Sequence, residues 1–336
     1  SLMVSVAVRG IAPYKTVITN GFVVDTSGKK ISKSDQGTDK AAKPMTADHY
    51  YNKYGGDMVR LWAASVDYQN DVPFSEELFQ QTGESYRRIR NTFRVLLGNL
   101  HDAPKEASSP SYTLVDKWIL ERLHSVLTDC LAGYAAYDFR KVVTTITQFV
   151  SGDLSALYID ITKDRMYCDA ADSPRRRATQ ATIREITETL TKLLAPILAY
   201  TADETWEFLG HTDSVHLEAF PSVPHAGPVS ENTATAAVEE LLKARAVIQQ
   251  AIEAARQAKK IGSNLEATVK LTLPEVGFTN PVSTATGRCG SFGSVQYGSF
   301  LMMSLILHSL SITLNPSLSN TSINLANASI SDSSAK

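Results

Sequence analysis

Cysteine is scarce in this sequence: Cys130, Cys168 and Cys289 are the only three. They are far apart and odd in number, which excludes a disulfide framework and any paired metal-ligand spacing. Such usage suits a reducing cytosol, so a cytoplasmic location is expected. Charge of one sign is also lacking. Lys and Arg number 33 against 35 Asp and Glu, a net charge of −2. No global basic footprint for nucleic acid exists, and any RNA contact must come from local patches. No basic stretch, apolar run and cleavage pattern opens the chain, so no signal peptide is read. The opening Ser1-Leu2-Met3-Val4 reads instead as the interior of a domain. The apolar run at residues 300–314 has Ser and His inside it and no basic flanks. A membrane span needs ~20 mostly apolar residues, so no membrane partner is expected. No internal repeat, no His/Asp/Ser triad and no carboxylate pair is present.

What is there is enough for a core. Apolar residues make up 43% of 336, and that length suits roughly two or three domains. Residues 15–25 are β-branched and aromatic and read as a strand or hairpin arm. Thr26-Ser27-Gly28-Lys29 is a turn, followed by a Lys- and Ser-rich loop to about Pro44. Short helices follow over residues 46–54 and 57–64, separated by Gly55-Gly56. Apolar residues then recur at three- and four-residue intervals over segments 76–100, 112–132, 138–165 and 176–195. Four long amphipathic segments with short links predict an antiparallel bundle. Residues 221–228 are a proline-rich linker, 233–260 another helix and 266–273 a strand. The last 54 residues carry only Arg288, Asp332 and Lys336 as charges. They read as a disordered tail or a non-native reading frame that adds nothing to the fold.

Lys30-Ile31-Ser32-Lys33-Ser34 is the sharpest motif. Two lysines three apart, set among small hydroxyl residues after a strand and turn, suit triphosphate chemistry. Attack on the α-phosphate of ATP piles negative charge onto non-bridging oxygens. An ammonium carried by a mobile loop can meet that charge in the transition state. The bland alternative is a solvated charged hairpin tip. Two arginine clusters follow. On a helix, Arg87, Arg90 and Arg94 fall within about 60° of one another at ~100° per residue, a stripe suited to phosphates or unpaired bases. Arg175, Arg176 and Arg177 form the second, at a helix start. For both, solvation or pairing with acids such as Glu84 is the alternative. Trp62, Trp118 and Trp206 read as core.

The lysine motif resembles the KMSKS signature of class I aminoacyl-tRNA synthetases, with Ile31 in the Met position. The stretch Thr19-Asn20-Gly21-Phe22-Val23-Val24-Asp25 resembles the approach to that loop in isoleucyl-tRNA synthetases. Asn20 stands where that family has His, and the insert after Ser34 is longer than in its shortest members. Tyr54-Gly55-Gly56-Asp57, Arg60-Leu61-Trp62, Tyr86-Arg87-Arg88-Ile89-Arg90-Asn91-Thr92, Lys163-Asp164-Arg165-Met166-Tyr167, Ala195-Pro196-Ile197-Leu198, Thr201-Ala202-Asp203-Glu204-Thr205-Trp206 and Lys260-Ile261-Gly262-Ser263-Asn264 follow in the family's order. The resemblance covers residues 1–275 or so.

It implies a mainly α chain: the C-terminal end of a Rossmann-type catalytic domain over residues 1–72, then an antiparallel helical bundle of anticodon-binding type over 73–225. A helix–strand segment at 226–276 and the low-charge tail at 277–336 complete the division. The implied function is ATP-dependent charging of tRNA(Ile) with isoleucine. Lys33 is then the catalytic residue and Lys30, Ser32, Lys33 and Ser34 bind ATP, a substrate carrying Mg2+. Arg87, Arg90, Arg94, Arg175, Arg176 and Arg177 are candidates for tRNA binding. The family's His-x-Gly-His signature, amino-acid pocket, editing insertion and C-terminal zinc module are not found here, since Cys289 has no companion. Isoleucine and ATP would therefore be handled with a missing N-terminal part, and this chain alone is expected to be inactive. The rivals are a valine or leucine ligase piece and a stand-alone, non-catalytic helical RNA-binding module.

Overall fold

The computed structural model describes residues 1–31, 47–104, 110–222 and 233–259, with three short strands beyond them. It is mainly helical. In chain order the elements are α1 (Leu2–Arg9), β1 (Val23–Val24), α2 (Ala47–Tyr54), α3 (Gly56–Ser65), β2 (Val72–Pro73), α4 (Glu76–Leu100), α5 (Leu114–Ala135), α6 (Phe139–Gln148), a π-helical stretch (Phe149–Ile159), α7 (Asp160–Tyr167), α8 (Pro174–Leu194), α9 (Ala199–Phe208), a 3₁₀ turn (Val215–Leu217), α10 (Thr233–Gln257), β3 (Ala267–Leu271), β4 (Val295–Gln296) and β5 (Ala328–Asp332). No helix among the described residues is long and apolar enough to cross a membrane. The chain divides into two compact units: residues 1–97, 127–148 and 188–221 form the first, and 98–126, 149–187 and 222–336 the second.

In the first unit, β1 pairs in parallel with β2, Val23 opposite Val72 and Val24 opposite Pro73. Only two residues of the expected arm at 15–25 are strand. The reason lies at Gly21, whose N–H donates to the Tyr68 carbonyl at 2.9 Å. A Cβ on Gly21 would sit 2.2 Å from the Asn70 carbonyl oxygen, so the backbones touch there before a ladder begins. Behind the strands Tyr50, Met58, Phe74 and Phe79 form an aromatic-rich core, with Ile31, Tyr54, Trp62 and Tyr86 packed on it. Phe74 meets Tyr50 and Trp62 edge to face, each at 5.1 Å between ring centres, the arrangement that ring quadrupoles favour.

α9 begins badly on its own. Leu198 stands at its N-cap and offers no side-chain acceptor. The carboxylate of Asp57, on α3, fills that role from 143 residues away. It accepts from the Tyr200 and Thr201 amides at 3.1 and 2.7 Å and from the Thr201 hydroxyl at 2.6 Å. These are the second and third N–H groups of α9, the orphan donors that a cap normally satisfies. One turn along α3, Arg60 donates to the carbonyls of Pro196 and Ile197 at 2.6 and 3.1 Å. Asp57 is 4% exposed and Thr201 3%, so removing the carboxylate leaves the Thr201 amide and hydroxyl buried without an acceptor. Asp57→Ala should cost about 2–3 kcal/mol, a lost cap plus unsatisfied amides. Urea unfolding of the variant checks this, and a loss below half a kcal/mol, roughly the floor for a cap, would remove Asp57 from this role.

The second unit buries an ion pair. Asp116, wholly buried, sits in the first turn of α5 and accepts from the Thr113 amide at 2.9 Å and hydroxyl at 2.7 Å. That is the reciprocal half of a capping box: the acid three residues into the helix satisfies the amide of the cap threonine. Arg165 of α7 lies 3.3 Å from the same carboxylate, and the Tyr158 hydroxyl donates to it at 2.7 Å. Burial, then the Asp116 charge, push the Tyr158 hydroxyl well above its ordinary pKa. Tyr158 belongs to the π-helical stretch, where regular helix was expected through residues 138–165. Such widened turns occur mostly as single-turn bulges; this one runs for 11 residues around the exposed Gly152.

α10 repeats the long-range capping device: Glu121 of α5 accepts from the Thr235 amide and hydroxyl at 2.8 and 2.6 Å. β3 lies between β4 and β5, both antiparallel to it. Both partner strands lie beyond Gly277, in the segment read from the sequence as a tail. β5 pairs with β3 over five residues, Val269 opposite Ile330, because a lone strand leaves a row of unpaired backbone groups that an uncharged segment can meet. The apolar run at residues 300–314 lies outside the described residues. Arg165→Met would strand Asp116 as a buried, unpaired charge and should destabilise the unit by about 3–5 kcal/mol. Combining it with Asp116→Asn should restore part of that loss, which denaturant unfolding of single and double variants measures.

Candidate functional site

The approach to the lysine motif is rigid. Asp25 closes the turn after β1: its carboxylate accepts from the Ser27 amide and hydroxyl at 2.9 and 2.6 Å and from the Lys29 amide at 2.9 Å. The Ser27 hydroxyl first, and the Lys29 amide next, hold this carboxyl below its usual range. Gly28 takes φ 82° at the bend, a conformation side chains resist. The chain then returns antiparallel, with Lys30 opposite Val24 and the Ile31 amide donating to the Val23 carbonyl at 3.2 Å. The Lys30 ammonium stands 3.7 Å from the centre of the Phe22 ring, a cation–π contact on an exposed face.

Ile31 turns inward and packs on the aromatic core of α2, α3 and α4. Ser32, Lys33 and Ser34 lie outside the described residues. The chain resumes at α2, whose Tyr50 is a member of that same core, 7% exposed. The residues on either side of the motif's reactive part are thus seated in one cluster.

The first arginine stripe lies on the exposed face of α4. Arg87 pairs with Glu84. Arg90 reaches Glu204 of α9 at 3.0 Å and the Tyr86 hydroxyl at 3.4 Å. Tyr86 in turn lies 3.0 Å from the Thr201 hydroxyl that is bound to Asp57. Arg90 is therefore the outer end of a hydrogen-bonded chain leading back to the α3–α9 contact. Arg94 is exposed.

Each member of the second cluster has a protein partner. Arg175 makes a two-pronged pair with Asp169, at 2.9 and 2.6 Å. Arg176 grips Asp102 at 2.6 and 3.1 Å. Arg177 donates to the Asp102 carbonyl and to Gln180, both at 2.7 Å. Sequence reasoning missed the acceptors, because Asp102 lies more than 70 residues upstream of the arginines. Trp118 and Trp206 are buried, and Trp62 is packed on the aromatic core. Among the described residues no group of three or more His, Cys, Asp or Glu side chains is placed to hold a metal ion.

Comparison with known proteins matches both regions. Residues 1–75 match the family described as tRNA synthetases class I (I, L, M and V), and residues 116–271 match the anticodon-binding domain of tRNA ligase. The isoleucine–tRNA ligase of Methylacidiphilum infernorum is 43% identical over 274 residues, covering 81% of this chain and 29% of that protein. Isoleucine–tRNA ligase 1 of Oceanobacillus iheyensis is 40% identical over 283 residues, covering 82% and 30%. The chain thus spans less than a third of the curated relatives it matches. Among solved structures, the ternary complex of an Agrobacterium radiobacter LeuRS with tRNA and LeuAMS aligns with a TM-score of 0.51 at 18% identity, over 66% of this chain and 26% of that one. That likeness concerns the fold alone.

The Asp102 cluster gives a pH dependence. The Arg176 hydrogen bond first, then that of Gln180, hold the Asp102 carboxyl at about 2 in the folded chain, against 3.8 for a free one. A carboxyl depressed by folding stabilises the fold above its unfolded pKa and loses that contribution as the acid form fills. The stabilisation should be complete above about pH 4 and fall away between 3.8 and about 2. Melting temperatures taken from about pH 5 downward should drop less steeply for Arg176→Gln than for the wild type. Parallel curves would show that the pair contributes nothing.

Proposed function

Because the chain belongs to the isoleucine–tRNA ligase family of class I tRNA synthetases, we propose that it supplies two parts of that reaction: a lysine loop that closes on ATP, and a helical region that docks tRNA(Ile). The substrates of the whole reaction are isoleucine, ATP and the tRNA. The four long helical segments form the antiparallel, anticodon-binding bundle in this reading. Residues 1–72 are the end of a Rossmann-type catalytic domain.

The observation that carries the loop's role is its mounting. Ile31 before the reactive residues and Tyr50 after them are held in one aromatic core, while Lys30 is fixed on the returning strand. Lys33 is thus bracketed in sequence by two residues anchored in the same core. During adenylate formation isoleucine's carboxylate attacks the α-phosphorus and pyrophosphate leaves. Charge grows on the phosphate oxygens, and the Lys33 ammonium acts by meeting it there. Lys30, Ser32 and Ser34 orient the phosphates. Mg2+ enters with ATP as part of the substrate, and no step here runs through it.

Docking falls to local arginines. Arg94 and Arg87 lie on the exposed face of α4. Arg90, Arg175 and Arg176 are paired with Glu204, Asp169 and Asp102, and together with Arg177 they would have to exchange these partners for phosphates on docking. The assignment to isoleucine over the sister amino acids rests on the relatives' identity of 38–43%.

In a full-length enzyme carrying this segment, Lys33→Ala should slow isoleucine-dependent ATP–pyrophosphate exchange by roughly 10²–10³, as for one preorganised donor. The KM for isoleucine should barely move, because the loop does not build that pocket. Lys30→Ala should do less. Exchange at the wild-type rate in Lys33→Ala would leave the motif a solvated hairpin tip.

A further inference from the structure

The corner between α5 and α6 holds an unusual residue. α5 ends in a Schellman turn: the Asp138 amide donates to the Gly133 carbonyl at 2.8 Å, and the Tyr137 amide to that of Tyr134 at 3.1 Å. The residue at the left-handed position of that turn is normally glycine. Here it is Tyr137, at φ 57°, a backbone state in which a side chain is unfavourable. Burial does not offset this, since Tyr137 is 43% exposed. The Tyr68 hydroxyl holds the strained residue in place, donating to the Tyr137 carbonyl at 2.8 Å. Tyr68 is itself backed by Phe139, 6.0 Å between ring centres.

Tyr137 lines a groove of about 490 Å³ together with Ala136, Tyr68, Gln69 and the segment Val17, Ile18 and Thr19. That volume lies within the ~300–1,000 Å³ of sites that hold small molecules or single nucleotides. Residues 17–19 run outside any helix or strand, so their backbone groups face no ladder partner. With the Thr19 hydroxyl and the Gln69 amide they offer both donors and acceptors. Arg140, three residues beyond Tyr137, is exposed.

We infer that this groove receives one unpaired RNA base, stacked on the Tyr137 ring and read along its edge by residues 17–19 and Gln69. The inference rests on the tRNA-docking reading above and adds a contact that neither arginine cluster provides. A flat, exposed ring beside mixed donors and acceptors is what recognises a splayed-out base. A base inside a duplex presents no free face to it. Arg140 then neutralises an adjacent phosphate. The choice of Tyr over Gly at a left-handed position follows, because glycine would suit the turn but give the base nothing to stack on.

The turn also makes the test decisive, because structural and binding roles move in opposite directions at this residue. Filter binding of a tRNA(Ile) transcript to the full chain is compared for wild type, Tyr137→Gly, Tyr137→Asn and Tyr137→Phe, beside a melting curve for each. Glycine and asparagine tolerate the left-handed state, so both variants should melt at the wild-type temperature or above it. Both should bind tRNA roughly tenfold more weakly, the loss of one stacked base. Tyr137→Phe keeps the ring and should bind within about twofold of wild type. If wild type binds and both the glycine and asparagine variants bind equally well, the groove inference fails while the docking reading stands. A phenylalanine variant as weak as the glycine one would also overturn stacking. If the wild-type chain binds no tRNA, the docking reading fails and takes this inference with it.

Discussion

A single buried carboxylate organises the first unit. Asp57 on α3 takes up the orphan amides of α9, a helix whose own N-cap is a leucine. Burying a charge in an apolar setting is costly unless every lone pair is met, and three donors within 3.1 Å meet this one. The α9 macrodipole adds to the match, since its N-terminal end is positive. Arg60 completes the contact by taking the carbonyls of Pro196 and Ile197. Four residues of α3, from Asp57 to Arg60, thereby hold both a helix start and the turn before it. The same helix presents Met58 to the aromatic core on which Ile31 packs. Position of the lysine motif's stem and position of α9 are consequently set by one short helix.

The second unit solves the same problem with Glu121, which caps α10 through Thr235. Its ion pair Asp116–Arg165 serves a different purpose. Buried pairs are poor sources of stability against an apolar equivalent, and here the carboxylate also closes the local capping box of α5. Arg165 in addition reaches the hydroxyls of Thr113 and Thr179 at 3.0 and 3.4 Å. The network ties the starts of α5 and α8 to α7, and a shift in register along any of them would break several bonds together.

Helical periodicity carried most of the fold. The apolar residues that recur at helical spacing on α5, Val115, Trp118, Ile119, Leu123, Val126 and Leu127, are all buried, because an amphipathic face is a local property of the chain. The strand expected across residues 15–25 shrank to two residues, since the close approach of Gly21 to Asn70 depends on a segment far along the chain. The π-helical stretch was equally hidden: its composition is that of ordinary helix. Family likeness marked Asp57 and Arg60 as part of a recurring motif but supplied no reason for them. The reason is a partner 143 residues away. Arginine pairing failed for the same cause, with Asp102 outside the window in which Arg176 finds helical neighbours. Local signals were legible, and long-range polar contacts were not.

The anchored flanks bear on how a lysine between them would serve the proposed catalysis. A cation that stabilises a transition state selectively must not rest against the ground-state phosphates, so it has to arrive. Arrival from a free chain end would cost ordering entropy at each turnover. Tethering both flanks removes much of that cost, since the closure entropy of a loop grows only slowly with its length once the ends are fixed. Here the flanks are Ile31 and Tyr50, in one apolar core. The isoleucine side chain matters for this purpose as an apolar anchor, and methionine at that position would fill the same space with similar volume. In the proposed reading Ile31 is therefore a conservative departure from the signature, with the chemistry assigned to the lysines and the anchoring to the apolar residue that separates Lys30 from Ser32.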